Sequence, residues 1–364
     1  MTDNSDDRYA LHRAALAPLF AGAPPGALRL SCNQFEQAGE TEFVEFLLQQ
    51  GLGPLWDELI DASAIDTPFS TNSKVLLHQR RLQATAQYLI QRHSLGLARA
   101  ILDDTGISHV IIKGCHTREL YYDTPALRPA LDIDILVRPG DRLGAIRAFQ
   151  AGGFSFNGLT ETISHECGLI KGNTCIDLHW DIMRPGRTRE PMVDALLNSR
   201  VDYGSHWGPG HGETLFLMLA HPVFTKYSTT PHARLVRLVD LSQLLHRYPG
   251  GVEGAVPLLR AAGLATAGWI TSTWLDLLSP GTGAGALAHS LAPGRLRRSY
   301  LRQWLTHNLS TRMLGKPLLI QLGFTLPAHD TLRDAARSAL QARRNGQEAG
   351  TTLAATQSQV LSAP

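Results

Sequence analysis

The chain has 364 residues, 43% of them apolar, and a formal net charge of +2 with histidine neutral. That length suits two or three compact units, and no uninterrupted apolar run approaches a membrane span. Cys32, Cys115, Cys167 and Cys175 form no Cys-x-x-Cys pair and no secretory signal precedes them, so reduced thiols in a cytoplasmic protein are expected rather than a disulfide framework.

The small net charge hides an asymmetry. Residues 1–72 carry eleven acidic and three basic side chains, whereas residues 295–344 carry ten basic and two acidic ones. Such a basic end is either a surface for a polyanion or a solvated face of arginines. It is too little to indicate nucleic-acid binding.

Along the chain, residues 1–72 contain short helical stretches (Thr41–Gln50, Pro54–Ile60) separated by Ala-Gly-Ala-Pro-Pro-Gly and Asp-Thr-Pro. A longer helix follows, with Val75, Leu82, Ala86, Leu89, Leu97, Ala100 and Ile101 recurring at helical spacing, and Thr105-Gly106 ends it. His109-Val-Ile-Ile then reads as a strand that runs into Lys113-Gly114 and a helix over Cys115–Tyr122. A strand that ends in Gly and opens a helix gathers free backbone N–H groups and the positive end of the helix dipole, a natural seat for phosphate. Lys113 would add a point charge there.

Asp132 and Asp134 stand two apart in an otherwise apolar strand. Side chains at i and i+2 share a face, so the two carboxylates converge and repel unless a cation joins them. Two solvated acids at a strand edge are the alternative. A helix from about Asp141 should bury Leu143, Ile146 and Phe149 and stop at Gly152-Gly153. Thr162–Lys171, the turn Gly172-Asn173 and Thr174–Trp180 read as a hairpin. Asp177 and His179 share one face of its second strand, which makes Asp177 a third carboxylate. Three acids on adjacent strands can hold two metal ions. Cys167, Cys175 and His179 lack a fourth ligand at zinc spacing.

From Glu213 the pattern is helical, first Leu215–His221 and then, after a Tyr-Ser-Thr-Thr-Pro break, Arg234–Leu245. Further helices over 252–340 are interrupted at Pro280 and at Pro293-Gly294. Strands alternating with helices and ending in a hairpin make a small mixed sheet covered by helices, an α+β fold. The expected organisation is an N-terminal helical region (1–72), a sheet-containing core (73–205), a C-terminal helical domain (206–340) and a disordered tail (341–364).

Lys113-Gly114, Tyr121-Tyr122, Arg128-Pro129, Asp132-Ile-Asp134-Ile-Leu-Val, Asp177-Leu-His-Trp180 and the later His221…Asp240 segment together resemble the uncharacterised nucleotidyltransferase family of the polymerase-beta-like superfamily, over roughly residues 75–247. The resemblance implies that Asp132, Asp134 and Asp177 are the metal-binding and catalytic carboxylates, with Mg2+ or Mn2+ as cofactor. It implies nucleotide-binding roles for Lys113, Gly114, Arg128, His221, Arg237 and Asp240. For His221, Arg237 and Asp240 the competing reading is structural, a buried histidine capped by an acid and an arginine in an ion pair. Leu131 departs from the family pattern, which usually has Gly before the Asp pair.

The implied activity is transfer of a nucleoside monophosphate from a nucleoside triphosphate, ATP foremost, to an acceptor hydroxyl with release of pyrophosphate. A nucleotide-binding interaction protein that has lost catalysis is the first alternative, suggested by Leu131 and the Lys-Gly loop. A metal-dependent phosphohydrolase is the second, though His165 and His179 are few for one. The acceptor is not named by the sequence, and no membrane or nucleic-acid partner is indicated.

Overall fold

A computed structural model describes residues 8–20, 23, 26–62, 69–157 and 165–341. Four helices come first: α1 (Ala10–Leu16), α2 (Ala27–Ala38), α3 (Glu40–Gln49) and α4 (Gly53–Ala62). The 34-residue α5 (Thr71–Asp104) follows, its first turn capped by the Ser70 hydroxyl, which accepts from the Ser73 amide.

The sheet is built from β1 (His109–Ile112), β2 (Ile133–Val137), β3 (Ser155–Asn157), β4 (Glu166–Lys171) and β5 (Thr174–His179), in the order β1-β2-β5-β4-β3. Only β2 and β5 are parallel; the other pairings are antiparallel. Between the strands lie α6 (Lys113–Tyr121) and α7 (Arg142–Ala151). The Gly172-Asn173 turn sets the hairpin register Lys171↔Thr174 through Glu166↔His179, and β2 sets Asp134 beside Asp177. Period-2 alternation then sorts the two faces. Ile133, Ile135, Ile176 and Leu178 pack with Leu95, Ala98 and Leu102 of α5 and with Ile146 and Phe149 of α7. Asp134, Asp177 and His179 occupy the opposite face.

Over that face lie helices from the C-terminal half: α8 (Val193–Asn198), α9 (His211–Lys226), α10 (Val236–Arg247), α11 (Gly251–Ala262), α12 (Ala265–Leu278), α13 (Ala284–Ser290), α14 (Arg295–Thr306), α15 (Leu309–Arg312) and α16 (Pro317–Ile320), which continues as a π-turn over Gln321–Thr325. The helices expected as a separate N-terminal region share one core with these. Tyr9 packs edge-on against Trp274 and bonds to the Leu305 carbonyl, and the Trp56 indole donates to Ala15. Thus the 1–72 and 206–340 segments are joined by burial, a long-range partnership that local pattern does not reveal.

The buried face of α5 differs from the expected one. Val75, Leu82, Ala86, Leu89 and Ala100 are exposed, whereas Leu77, Ala84, Tyr88, Gln91, Ser94, Leu95, Ala98 and Leu102 face inward. The polar members explain the shift, because each has a buried partner: Gln91 bonds to the Ala130 carbonyl and to Arg118, and Ser94 to Thr174. β2 also begins one residue later than the Asp pair suggests, leaving Asp132 just before the strand. The expected start of β4 at Thr162–Ser164 and the expected tail from residue 342 lie outside the described residues. Among the described residues no helix is long and apolar enough to cross a membrane.

Candidate active site

The acidic face of the sheet forms the floor of a cleft of about 960 Å3, with α9 and α10 as its roof. All nine residues singled out in the sequence line it: Lys113, Gly114, Arg128, Asp132, Asp134, Asp177, His221, Arg237 and Asp240. What they do there differs from one to the next.

Asp134 is the best-compensated acid. Its Oδ1 accepts from Lys113 Nζ at 2.6 Å and lies 2.8 Å from His179 Nε2. Burial alone would raise its pKa, but the Lys113 ammonium and His179 outweigh that and hold the carboxyl well below its usual range. His179 in turn reaches Glu166 Oε2 with Nδ1 at 3.0 Å. Glu166 is held down to about 2 because the His179 contact overcomes its burial. For His179 itself, burial and Lys113 push the ring down, yet the contacts with Asp134 and Glu166 leave it above its ordinary value.

Those four groups form one network, two acids against Lys113 and His179. Asp132 and Asp177 are left over. Neither forms an ion pair among the described residues. Burial and the neighbouring Asp134 raise the Asp132 carboxyl, and burial with Asp132 and Asp134 pushes Asp177 up to about 6. Ligand atoms of Asp134, Asp177 and His179 lie within 4.8 Å of one another, a separation that one metal ion can bridge. Two half-buried carboxylates that form no ion pair among the described residues, beside the buried Asp134, are oxygen donors of the kind a hard divalent ion takes, so the donor set fits Mg2+ or Mn2+.

Lys113 opens α6 with a positive φ of 56°, a strained conformation for a side chain that is not glycine. Its ammonium reaches Asp134 from there. Gly114 has a different reason for being glycine: a Cβ there would lie 2.4 Å from Arg128 Nη1. The absent side chain lets Arg128 pass, and Arg128 Nη2 meets Asp240 Oδ2 at 2.6 Å while the Tyr122 hydroxyl donates to Asp240 Oδ1 at 2.7 Å. Arg128 and Asp240 are both buried, and their charges are committed to each other. The ion pair foreseen as a structural alternative therefore exists, but its arginine is Arg128 rather than Arg237.

Arg237 lines the cleft, and its guanidinium forms no hydrogen bond or ion pair among the described residues. Burial, with Arg128 nearby, lowers its pKa. Lys226 is lowered by burial and by Arg237, and Arg234 by burial and by Arg80. His221 is kept neutral, pushed well below its ordinary value by burial and then by Lys113 and Arg237; its Nδ1 lies 3.2 Å from the Thr225 hydroxyl and no acid caps it.

Glu166, His179, Lys226, Arg234 and Arg187 also line or support the cleft and were not among the sequence candidates. Glu166 and His179 were within reach, because a two-residue turn at Gly172-Asn173 fixes their pairing. Lys226, Arg234 and Arg187 follow no periodicity that would single them out.

The site is thus a small mixed sheet carrying clustered carboxylates under a cationic helical roof. Residues 36–272, about two thirds of the chain, match the family described as uncharacterised nucleotidyltransferase, and the chain belongs to that family. No curated protein matches it.

Proposed function

We propose that the protein is a metal-dependent enzyme that transfers a nucleoside monophosphate from a nucleoside triphosphate, ATP foremost, to an acceptor hydroxyl and releases pyrophosphate. The observation that carries this reading is the layout of the cleft: among the described residues, Asp132 and Asp177 on the floor and Arg237 and Lys226 on the roof all line it without forming an ion pair. A metal–triphosphate complex answers both at once, since the metal meets the acids and the phosphates meet the cations.

Asp132, Asp134 and Asp177 would hold Mg2+ or Mn2+, which when bound would neutralise charge on the phosphates and acidify the acceptor hydroxyl. Lys113 moves from Asp134 toward phosphate as the site fills, assisted by the free amides at the start of α6. Arg237 and Lys226 take the outer phosphates. His179, fixed between Asp134 and Glu166, orients the Asp134 carboxylate. Asp177 assists removal of the acceptor proton. Positioning and charge stabilisation supply most of the rate enhancement, as expected for phosphoryl-type transfer.

The test is incubation with an α-labelled triphosphate, Mg2+ and a cell extract, followed by identification of the labelled species. Label on an acceptor together with released pyrophosphate is expected. Nucleotide binding without label transfer would point to a degenerate, nucleotide-sensing protein, and free nucleoside monophosphate with no labelled acceptor would point to a hydrolase.

A further inference from the structure

Between Asp276 and Asp330 the chain contains no acidic residue, yet it carries Arg295, Arg297, Arg298, Arg302, Arg312 and Lys316. Arg297 is occupied by the carbonyls of His329 and Asp330. The other five are exposed and form no ion pair among the described residues. Large aliphatic side chains stand among them: Leu296 is 89% exposed, Leu318 73% and Leu322 62%, with Leu314 and Leu319 also open to solvent.

Two contacts join the helices that carry the leucines. The Tyr300 hydroxyl on α14 donates to the Gly323 carbonyl at 2.7 Å, and Trp304 stacks on Phe324, which fastens α14 to the α16 segment. Leu296 lies one turn before Tyr300, and Leu318 one turn before Leu322, so both helices present apolar side chains beside the joint. The inward sides of Pro317, Gln321 and Thr325 line the rim of the cleft.

A second exposed apolar stripe, on α5, shows by contrast what is special here. Beside Leu82, Arg81 is neutralised by Asp57, Glu58 and Asp61. The five cations of α14–α16 have no such partners among the described residues. Unpaired arginines interspersed with protruding leucines match a surface that is anionic outside and apolar a few ångströms deeper. A nucleic acid would satisfy the charges but leave the leucines in water.

We propose that the α14–α16 lobe docks on an anionic lipid bilayer, with the leucines entering the headgroup boundary and the five cations meeting the lipid phosphates. The cleft mouth would then open next to the bilayer surface. This docking does not depend on the nucleotidyl-transfer reading, and it is measured without any turnover.

The test is flotation of the full chain with vesicles of phosphatidylcholine alone and with about 30% phosphatidylglycerol added. At least about tenfold more protein should float with the anionic vesicles, falling as salt rises from about 0.1 to 0.5 M. Two double variants, L318S with L322S and R298Q with R302Q, should each lower flotation at least about fivefold without changing the melting temperature, as expected for exposed positions. Absence of flotation with anionic vesicles overturns the proposal. So does undiminished flotation of the leucine variant, which would reduce the surface to a general polyanion binder. A dimer in sedimentation that L318S with L322S converts to monomer also overturns it, since the leucines would then belong to a contact with a second copy.

Discussion

On the floor of the cleft four acids, Asp132, Asp134, Glu166 and Asp177, lie on or beside three neighbouring strands, and two of them are neutralised by Lys113 and His179. On the roof the cations come from less regular places: Lys226 ends α9, Arg234 sits in the following turn and Arg237 opens α10. The two surfaces also differ in how much of their charge is already met. Floor and roof each contain a structural pair or network, Asp134 with Lys113 and His179 below, Arg128 with Asp240 above. Each also contains charged groups that form no ion pair among the described residues. Residues of one chemical type in the same cleft thus divide into those paired within the fold and those that form no ion pair among the described residues.

The floor offers the largest expected effect. Replacing Asp132, Asp134 or Asp177 by Asn should each lower nucleotidyl transfer at least about hundredfold. Their effects on stability should separate. Asp132→Asn and Asp177→Asn remove mutually repelling carboxylates, so the metal-free melting temperature should hold or rise. Asp134→Asn strands Lys113 and His179 and should cost on the order of 2 kcal/mol. Thermal melts in chelator check this, and equal shifts for all three would erase the distinction between compensated and uncompensated acids.

The roof gives the next effect. Arg128→Gln should cost roughly 3–5 kcal/mol, because it leaves Asp240 buried without its partner, and Asp240→Asn should add little to it. Arg237→Gln should leave stability within about 1 kcal/mol and weaken triphosphate binding about tenfold. Denaturant titration and calorimetry separate the two. A stable Arg128→Gln alongside a collapsing Arg237→Gln would reverse the assignments.

The uneven legibility of the two surfaces in the sequence follows from the same geometry. A strand writes its face in every second residue, so the shared face of Asp177 and His179 could be read from spacing, and the Gly172-Asn173 turn contained the Glu166–His179 pairing as well. Asp132, by contrast, lies just before β2, and the parallel β2–β5 pairing that sets Asp134 beside Asp177 is not written in spacing. On a helix roof the facing residues depend on how α9 and α10 pack, which spacing alone does not fix. Asp240 could be seen as important, but its partner Arg128 is 112 residues away and passes over Gly114 to reach it. Apolar periodicity misled on α5 because that helix buries Gln91 and Ser94 in hydrogen bonds and leaves Leu82 and Leu89 in solvent. The joint core of the first four helices with the last ones was likewise invisible, since Tyr9 and Trp274 meet only after the intervening chain has folded.

An effect confined to acid tests whether the roof is stiffened from behind. His329 is buried against Phe224 of α9, with ring centroids 4.9 Å apart, and neither ring nitrogen has a hydrogen-bond partner. Burial lowers its pKa to about 4, and Arg187, Arg337 and Arg297 add to the shift while Asp334 opposes it. Between its unfolded value of about 6.5 and that folded value, the unfolded chain binds a proton that the folded chain refuses. The stability contributed by neutral His329 is therefore complete above about pH 6.5 and is lost as pH falls toward 4. His329→Leu removes that titration, so relative to wild type it should gain on the order of 2 kcal/mol between pH 7.5 and pH 4.5. Parallel stability curves for the two proteins over that range would show that the imidazole is not the group that acid attacks, and that the packing of Phe224 over the cleft does not depend on its neutrality.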